Sequence, residues 1–388
     1  MNKMIYIINE YSSKSTQHFY HVFNLLKELS NRGVKITLVI EKCVDSECPL
    51  MDGINVICQK RKNKILRVIE LNTILRKHIN QGYKKIFVRI STNAAIVSIL
   101  TKIFSGREVF FWQSGTTYTL EKEEKKGISK LVWKIKYEYK FRFICRFVNK
   151  FVTGPEFMLD YYEKEVGVRK EKLHLLYNDI DINRFHPISQ LEKQDMKSKL
   201  NLNEHKRVIL MVHRLSPVRK TALYLKEIIK LKEIFHSSIL VIVGDGPEKN
   251  ELVKIVTESE LSDSIIFVGS IPNKDIQDYY KVADIFINPS YTEGFPRVII
   301  EAMAFGIPIV ATDAGGTSDL FGTLQQRFIV EKTNPARFAL KIIELVSTPH
   351  IHSMLRDENL SNVQRYTTAE VAKMYEEVIF YENSTYGT

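Results

Sequence analysis

Cysteine is scarce in this chain: Cys43, Cys48, Cys58 and Cys145 are the only four in 388 residues. Cys43 and Cys48 stand too far apart for a C-x-x-C pair, and no histidine cluster accompanies them. Zinc binding and thiol redox work are therefore not expected, and the cysteines fit a reducing compartment. Long apolar runs are lacking too, and none approaches the roughly 20 residues a membrane span needs. No secretory leader is recognisable, because the first residues run straight into a short apolar stretch, 5–8. A cytoplasmic protein is the expectation. No internal repeat or low-complexity tract interrupts the chain, and no nucleic-acid motif is recognisable.

What is present is an ordinary globular balance, 44% hydrophobic and 26% charged. The length suggests two domains rather than one. Lysine and arginine number 56 against 45 acids, a formal charge of +11. That excess attracts polyanions, whether nucleic acid, an anionic membrane or a phosphate-bearing substrate.

Short β-rich runs alternate with longer helical patterns. Residues 4–9 (MIYIIN) predict a strand and 17–31 an amphipathic helix, with Phe19, Val22, Phe23, Leu26 and Leu29 on one face. Gly33 is a helix stop. Strands are expected at 35–40, 85–90 and 108–112, with a helix over 93–104. Such alternation means a parallel sheet covered on both faces. The polar stretch 188–205 breaks the pattern and predicts a linker with a short helix. Alternation then resumes, with strands at 207–212, 239–244, 264–268, 284–288 and 308–312 and helices at 222–235, 248–257, 275–281 and 296–305. The fold class expected is α/β, two Rossmann-like βα domains facing across a cleft. The first would span 1–187, the second 206–367, and a helix over about 368–388 would pack back on the first. Ligands in such sheets bind at the carboxyl ends of strands.

Four strand-end motifs carry the chemistry. Residues 289–301 (PSYTEGFPRVIIE) place Glu293 in a loop after a buried strand, and Pro296 suits a first helical turn. Gly294 permits close backbone approach. Amides near Gly294, Phe295 and Pro296, backed by the helix dipole, make an anion site suited to phosphate. Glu293 and Glu301 flank it as acceptors for hydroxyl donors. Alone, the same pattern also fits a capped helix with two solvated glutamates. Residues 213–220 (HRLSPVRK) follow the first strand of the second domain. There Arg214 and Lys220 can neutralise a diphosphate, or form a basic surface loop. Residues 243–247 (VGDGP), including Gly246, and 311–317 (ATDAGGT) are two more strand-to-helix turns. A lone G-x-G is a weak signal.

Together and in this order, with 266–269 (IFVG), Ala283-Asp284 and 301–312 (EAMAFGIPIVAT), these elements resemble the family 4 retaining glycosyltransferases of GT-B fold. The resemblance is specific over about 208–320, and 177–181 (YNDID) with Phe185 looks like the family's stretch before its linker. It implies that Arg214 and Lys220 hold a donor diphosphate, with Gly246 among the donor-site residues. It also implies that Glu301 binds the ribose, that backbone near Ile271 meets the base, and that Glu293 serves as the catalytic residue beside the donor sugar. The co-substrate implied is a nucleotide-diphosphate sugar and the acceptor a glycan or lipid-linked glycan, in cell-surface polysaccharide or glycoconjugate synthesis. No further cofactor and no metal is expected. Two other readings remain open, a sugar-nucleotide epimerase and a catalytically weak binding protein of the same fold.

The first domain departs from the family. Residues 10–16 (EYSSKST) stand where relatives carry a Gly-Gly loop, and Ser114 stands where a histidine is common. His18, His21 and Ser114 are acceptor-side candidates, with a packed helix histidine as the competing reading for the first two. Asp179 and Asp181 spell D-x-D, a metal motif elsewhere, but precede the linker and fit a structural turn. Residues 122–150 interleave ten cations with aromatic and aliphatic side chains. That segment fits an anionic membrane surface or an outer helix of the first domain, and nucleic acid is not expected.

Overall fold

The computed structural model describes residues 2–12, 20–44, 48–103, 106–116, 118 and 127–381. The chain divides into two compact units, Met1–Asp179 with Thr368–Thr388, and Ile180–Thr367. The division falls after residue 179 rather than at 187. The stretch expected as a linker, 188–205, groups with the second unit. It carries the helix Gln190–Lys199, opened by a capping box between Ser189 and Glu192.

The first unit is built on seven strands: β1 (Lys3–Tyr11), β2 (Lys35–Cys43), β3 (Ile54–Cys58), β4 (Lys85–Arg89), β5 (Glu108–Trp112), β6 (Lys150–Thr153) and β7 (Leu173–Leu175). Their order is β3-β2-β1-β4-β5-β6-β7 and every pairing is parallel. Met4 to Ile8 are wholly buried because helices cover both faces, so the strand reads as an unbroken apolar run. Helix α1 (Tyr20–Asn31) covers one face beside the helix Thr368–Phe380. Helices α2 (Lys64–Asn80) and α3 (Thr92–Ile103) and the helical run 127–147 cover the other, as right-handed crossovers dictate.

The Arg89 guanidinium, 3% exposed, lies 3.8 Å from the Trp112 ring centre. It donates to Asn178 Oδ1, to the Tyr6 and Tyr375 hydroxyls at 3.4 Å and to His21 Nε2 at 3.1 Å. This network ties β1, β4, α1 and the last helix together. His21 is therefore a packed helix histidine. Burial opposes the Arg89 charge, but Tyr6, Tyr375 and Asp179 outweigh it and raise its pKa.

One sequence expectation changes here, that of an all-reduced set of cysteines. Cys48 and Cys58 form a disulfide, Cα–Cα 6.0 Å, and Cys145 is a buried thiol. The ten-residue separation matches no motif, so an all-thiol reading was the natural one. The segment 122–150, described from residue 127, is helical as Gly127–Trp133, a π turn Lys134–Glu138 and Tyr139–Phe147. Trp133, Phe141, Ile144 and Cys145 face the core, while Ile128, Leu131, Val132, Ile135, Tyr137 and Tyr139 face water. The wider turn re-aims the two halves, so only part of the apolar stripe packs. No helix among the described residues is long and apolar enough to cross a membrane.

The second unit has six parallel strands: β8 (Arg207–Val212), β9 (Ser238–Val243), β10 (Ile265–Gly269), β11 (Ile285–Asn288), β12 (Ile309–Asp313) and β13 (Ile329–Glu331). The order is β10-β9-β8-β11-β12-β13. The chain lays strands outward from β8, then returns to start again at β11. The β8/β11 boundary is therefore the topological switch point, where loops diverge and leave room for a ligand.

Candidate active site

The two strongest sequence motifs lie on the two sides of that switch point. Residues 213–220 leave the carboxyl end of β8 and residues 289–296 leave that of β11. Hydrogen bonds sew the two loops together. The Tyr291 amide donates to Arg219 O at 3.0 Å. The Arg219 guanidinium donates to Ser290 Oγ at 3.2 Å and forms an ion pair with Glu293. The Lys220 ammonium sits 3.5 Å from the Tyr291 ring centre, a cation–π contact shared with Lys332 at 5.1 Å.

Two glycines bring the neighbouring loops in. A Cβ on Gly246, φ +155°, would meet Leu215 O at 2.1 Å, and one on Gly315, φ +61°, would meet Glu293 O at 2.0 Å. Only glycine permits either approach. The β9 loop thereby packs on the β8 loop, and the β12 loop on the β11 loop. Thr312 Oγ1 accepts the Ser290 amide at 3.0 Å and fixes the last pair.

Glu293 is 7% exposed and Glu301 5% exposed, so neither is a solvated surface acid. Arg219 meets the Glu293 charge. Glu301 lies in the helix Arg297–Ala304, where it accepts the Tyr280 hydroxyl at 2.9 Å and faces Arg297 at 3.8 Å. Burial raises the Glu301 pKa, against the opposing pull of Arg297, the Tyr280 hydrogen bond and Arg184. No side chain caps this helix at Pro296. Phe295 packs edge-on against Tyr366, which fixes the entry to the first turn. The positive end of the helix thus stands beside the buried Glu293.

His213 is buried and bonds Thr221 Oγ1 through Nε2 at 3.0 Å. Burial, then the nearby Arg219 charge, holds its pKa well below the ordinary 6.5, so the ring is neutral. Arg214, one residue on, is exposed and makes no hydrogen bond or ion pair among the described residues.

A switch point flanked by cationic loops, a buried carboxylate pair and an uncapped helix start is built for a phosphorylated, hydroxyl-rich ligand. Residues 192–362 match the family of glycosyl transferases, group 1. The match takes in Arg214, Arg219, Lys220, Glu293 and Glu301. A putative teichuronic acid biosynthesis glycosyltransferase, TuaC of Bacillus subtilis, is 36% identical over 158 residues, 40% of this chain and 37% of that protein. UDP-Gal:alpha-D-GlcNAc-diphosphoundecaprenol alpha-1,3-galactosyltransferase of Escherichia coli is 29% identical over 199 residues, half of each chain. The chain thus aligns with half or less of these curated relatives' length. Sucrose-phosphate synthase from Thermosynechococcus elongatus superposes with TM-score 0.78 at 17% identity, covering 97% of this chain and 98% of that one. Anabaena HepE, solved with UDP and glucose, gives 0.76 at 17%, covering 97% and 99%. At that identity the structures speak to fold alone, and the fold is GT-B.

Within this fold the sequence candidates separate. Glu293, Gly294, Phe295, Pro296, Arg214, Lys220, Gly246 and Glu301 lie on the strand-end loops of the second sheet or the helix they lead into. Ile271 is half-buried just beyond β10. Gly246 acts through close packing, and its own amide bonds Asp245 Oδ1 at 2.7 Å. In the first unit, Ser114 follows β5 and its hydroxyl donates to Gly154 O at 2.6 Å. His18 lies outside the described residues. Asp179 does not serve a local turn: it accepts from Thr368 Oγ1 at 2.8 Å, at the start of the last helix and 189 residues away, while Asp181 accepts the Asn183 amide at 3.0 Å within a local turn.

Sequence reasoning missed Arg219. It is the second cation of HRLSPVRK, and its place next to Lys220 was the available signal. It also missed Ile90, whose φ of +66° is rare for a β-branched residue. Ile90 directly follows β4 at the first sheet's own switch point, between β1 and β4.

Proposed function

We propose that this chain moves a sugar from a nucleotide-diphosphate donor to a glycan or lipid-linked glycan, with retention at the anomeric carbon. The pathway class is cell-surface polysaccharide or glycoconjugate synthesis. The buried Glu293, paired with Arg219 at the switch point beside an uncapped helix start, carries the reading. Relatives named for a UDP-sugar, a polyprenol-diphosphate acceptor and teichuronic acid favour a uridine diphosphate donor and a lipid-linked acceptor. The assignment to family 4 of the retaining enzymes belongs to the same proposal.

In this mechanism the donor diphosphate lies against Arg214, Lys220 and the first amides of the helix Arg297–Ala304. One cation at about 4 Å contributes on the order of 4 kcal/mol before desolvation at an effective dielectric near 20. As the bond from the sugar C1 to the phosphate oxygen breaks, its electron pair passes to the diphosphate. The fixed cations and amides meet that charge without reorganising. The acceptor oxygen bonds C1 from the same face, and its proton passes to the departing phosphate oxygen. Glu293 faces the sugar, Glu301 takes the ribose hydroxyls and backbone near Ile271 meets the base. Arg214 and Lys220 neutralise the diphosphate, so no metal is required. Ser114 and His18 belong to the acceptor side. An anionic membrane contacts the exposed apolar and basic side chains of 127–147 and brings the enzyme to its acceptor, at the inner face of the cell membrane.

A melting screen against nucleosides, nucleoside diphosphates and nucleotide sugars tests the donor class. A ligand at 100 times its Kd stabilises by about 2.7 kcal/mol. Stabilisation by a diphosphate but not by its nucleoside is the expected result; no response to any nucleotide would contradict the proposal.

A further inference from the structure

Residues 60–69 of the first unit read KRKNKILRVI. Lys60, Arg61, Lys62 and Lys64 are exposed. So are Ile65 at 71%, Leu66 at 46%, Val68 at 43% and Ile69 at 55%. Helix α2 packs through Leu71, Leu75, His78 and Ile79, so these four apolar side chains are left over from its core contact. The end that carries them is firmly held. Asn63 Oδ1 caps the helix by accepting the amides of Ile65 at 2.9 Å and Leu66 at 3.4 Å. The Glu70 carboxylate accepts the amides of Lys60 at 3.0 Å and Arg61 at 3.1 Å. Gln59 Nε2 donates to Arg67 O at 2.7 Å. The acid that directly follows the segment, Glu70, is thus engaged with backbone, and Lys60, Arg61, Lys62 and Lys64 have no ion pair among the described residues.

Topology places this patch. Helix α2 runs from the carboxyl end of β3 back to the start of β4, and the run 127–147 lies between β5 and β6. Both therefore begin at the carboxyl-end rim of the first sheet, on the same face, with α3 between them. Helices packed about 8–10 Å apart put α2 and the Tyr139–Phe147 part of the run roughly 20 Å from one another, with α3 between.

We infer that the start of α2 is a second contact with an anionic lipid surface, acting together with the helical run 127–147. The inference rests on the membrane reading proposed above. Two separate patches, each mixing unpaired cations with exposed apolar side chains, suit a flat, extended, negatively charged and partly apolar partner. A second copy of the chain would bring the same positive charge to the contact and is disfavoured.

Co-sedimentation of the full chain with phosphatidylcholine vesicles, with and without phosphatidylglycerol, tests this. Three variants are compared: Ile65→Ser with Ile69→Ser, Lys62→Glu with Lys64→Glu, and Lys130→Glu with Lys134→Glu and Lys140→Glu. Asn63 is left intact, and an acid at position 64 suits a helix start, so α2 should stay folded; melting curves check that. Since each basic residue near such a surface is worth about fivefold, the Lys62/Lys64 variant should weaken binding to the anionic vesicles at least about tenfold, and the Ile65/Ile69 variant, which removes the inserted apolar side chains, should weaken it as well. If they bind as the wild type does while the third variant loses binding, the α2 contact is wrong and the membrane reading stands. If the wild type binds no vesicle, both fall together. If sedimentation velocity shows a dimer that the Ile65/Ile69 variant loses, with vesicle binding unchanged, the patch belongs to a second copy of the chain.

Discussion

Replacing Arg219 by methionine tests the arrangement on which the site depends. The Glu293 side chain is 6% exposed and its partner 22% exposed. At an effective dielectric near 20, a contact of about 3 Å is worth about 5 kcal/mol before desolvation. Removing the cation leaves a carboxylate with almost no access to water. That loss runs to about 3–5 kcal/mol for a fully buried pair, and Arg219's partial exposure lowers it to about 2–4. Glu293→Gln alone leaves a neutral acceptor beside a half-solvated cation and should cost less. Urea denaturation of both single variants and the double variant forms a cycle, with a coupling energy of about 1–3 kcal/mol expected. Arg219→Lys should recover part of it, since the charge remains but the fork that also reaches Ser290 is lost. A coupling indistinguishable from zero would mean that the two residues do not sense one another, and the argument from a fixed Glu293 would fail.

Other outcomes follow from the same geometry. Arg214→Ala and Lys220→Ala should each weaken nucleoside diphosphate binding more than nucleoside binding in calorimetry; equal losses would remove the diphosphate role. Lys220 has φ +55°, so Lys220→Gly should lose the same affinity yet be more stable than Lys220→Ala, by about 1 kcal/mol. His213 is held neutral in the folded protein, while the unfolded chain takes up a proton below about pH 6.5. Stability present above that pH should therefore fall on acidification by up to about 1.4 kcal/mol per pH unit, and His213→Asn should flatten the profile. Sugar transfer should survive metal stripping and excess chelator; rescue by manganese that Asp179→Ala abolishes would overturn the metal-free reading.

How far the sequence speaks depends on where each segment lies. The second unit was legible because its strands are covered on both faces. Residues 207–212 (RVILMV) predicted β8 to the residue, since every position after Arg207 is apolar. The helix expected over 222–235 instead ends at Lys230 and resumes as a short turn at Ile234–Ser237. No glycine or proline marks that break. Strand β3 and helix α2 went unread. Strand β3 is a half-buried edge strand, and four exposed apolar residues blur the inward stripe of α2. The motif spacing found Glu293 and Glu301 but not Arg219, because which of three nearby cations reaches a carboxylate across the sheet is decided by packing. The same holds for the Cys48–Cys58 pair, which joins the loop before β3 to the end of that strand.

The most direct measurement follows the sugar itself. The chain is incubated with a uridine diphosphate hexose panel and a polyprenol-diphosphate-linked glycan, and both nucleotide release and the acceptor are analysed, beside Glu293→Gln. The account predicts that one donor yields free nucleoside diphosphate in step with a glycosylated acceptor, with the anomeric configuration retained. It also predicts that the variant stays folded and turns over at least about 100-fold more slowly. Epimerised donor without transfer, or tight nucleotide binding without turnover by the wild type, would contradict it.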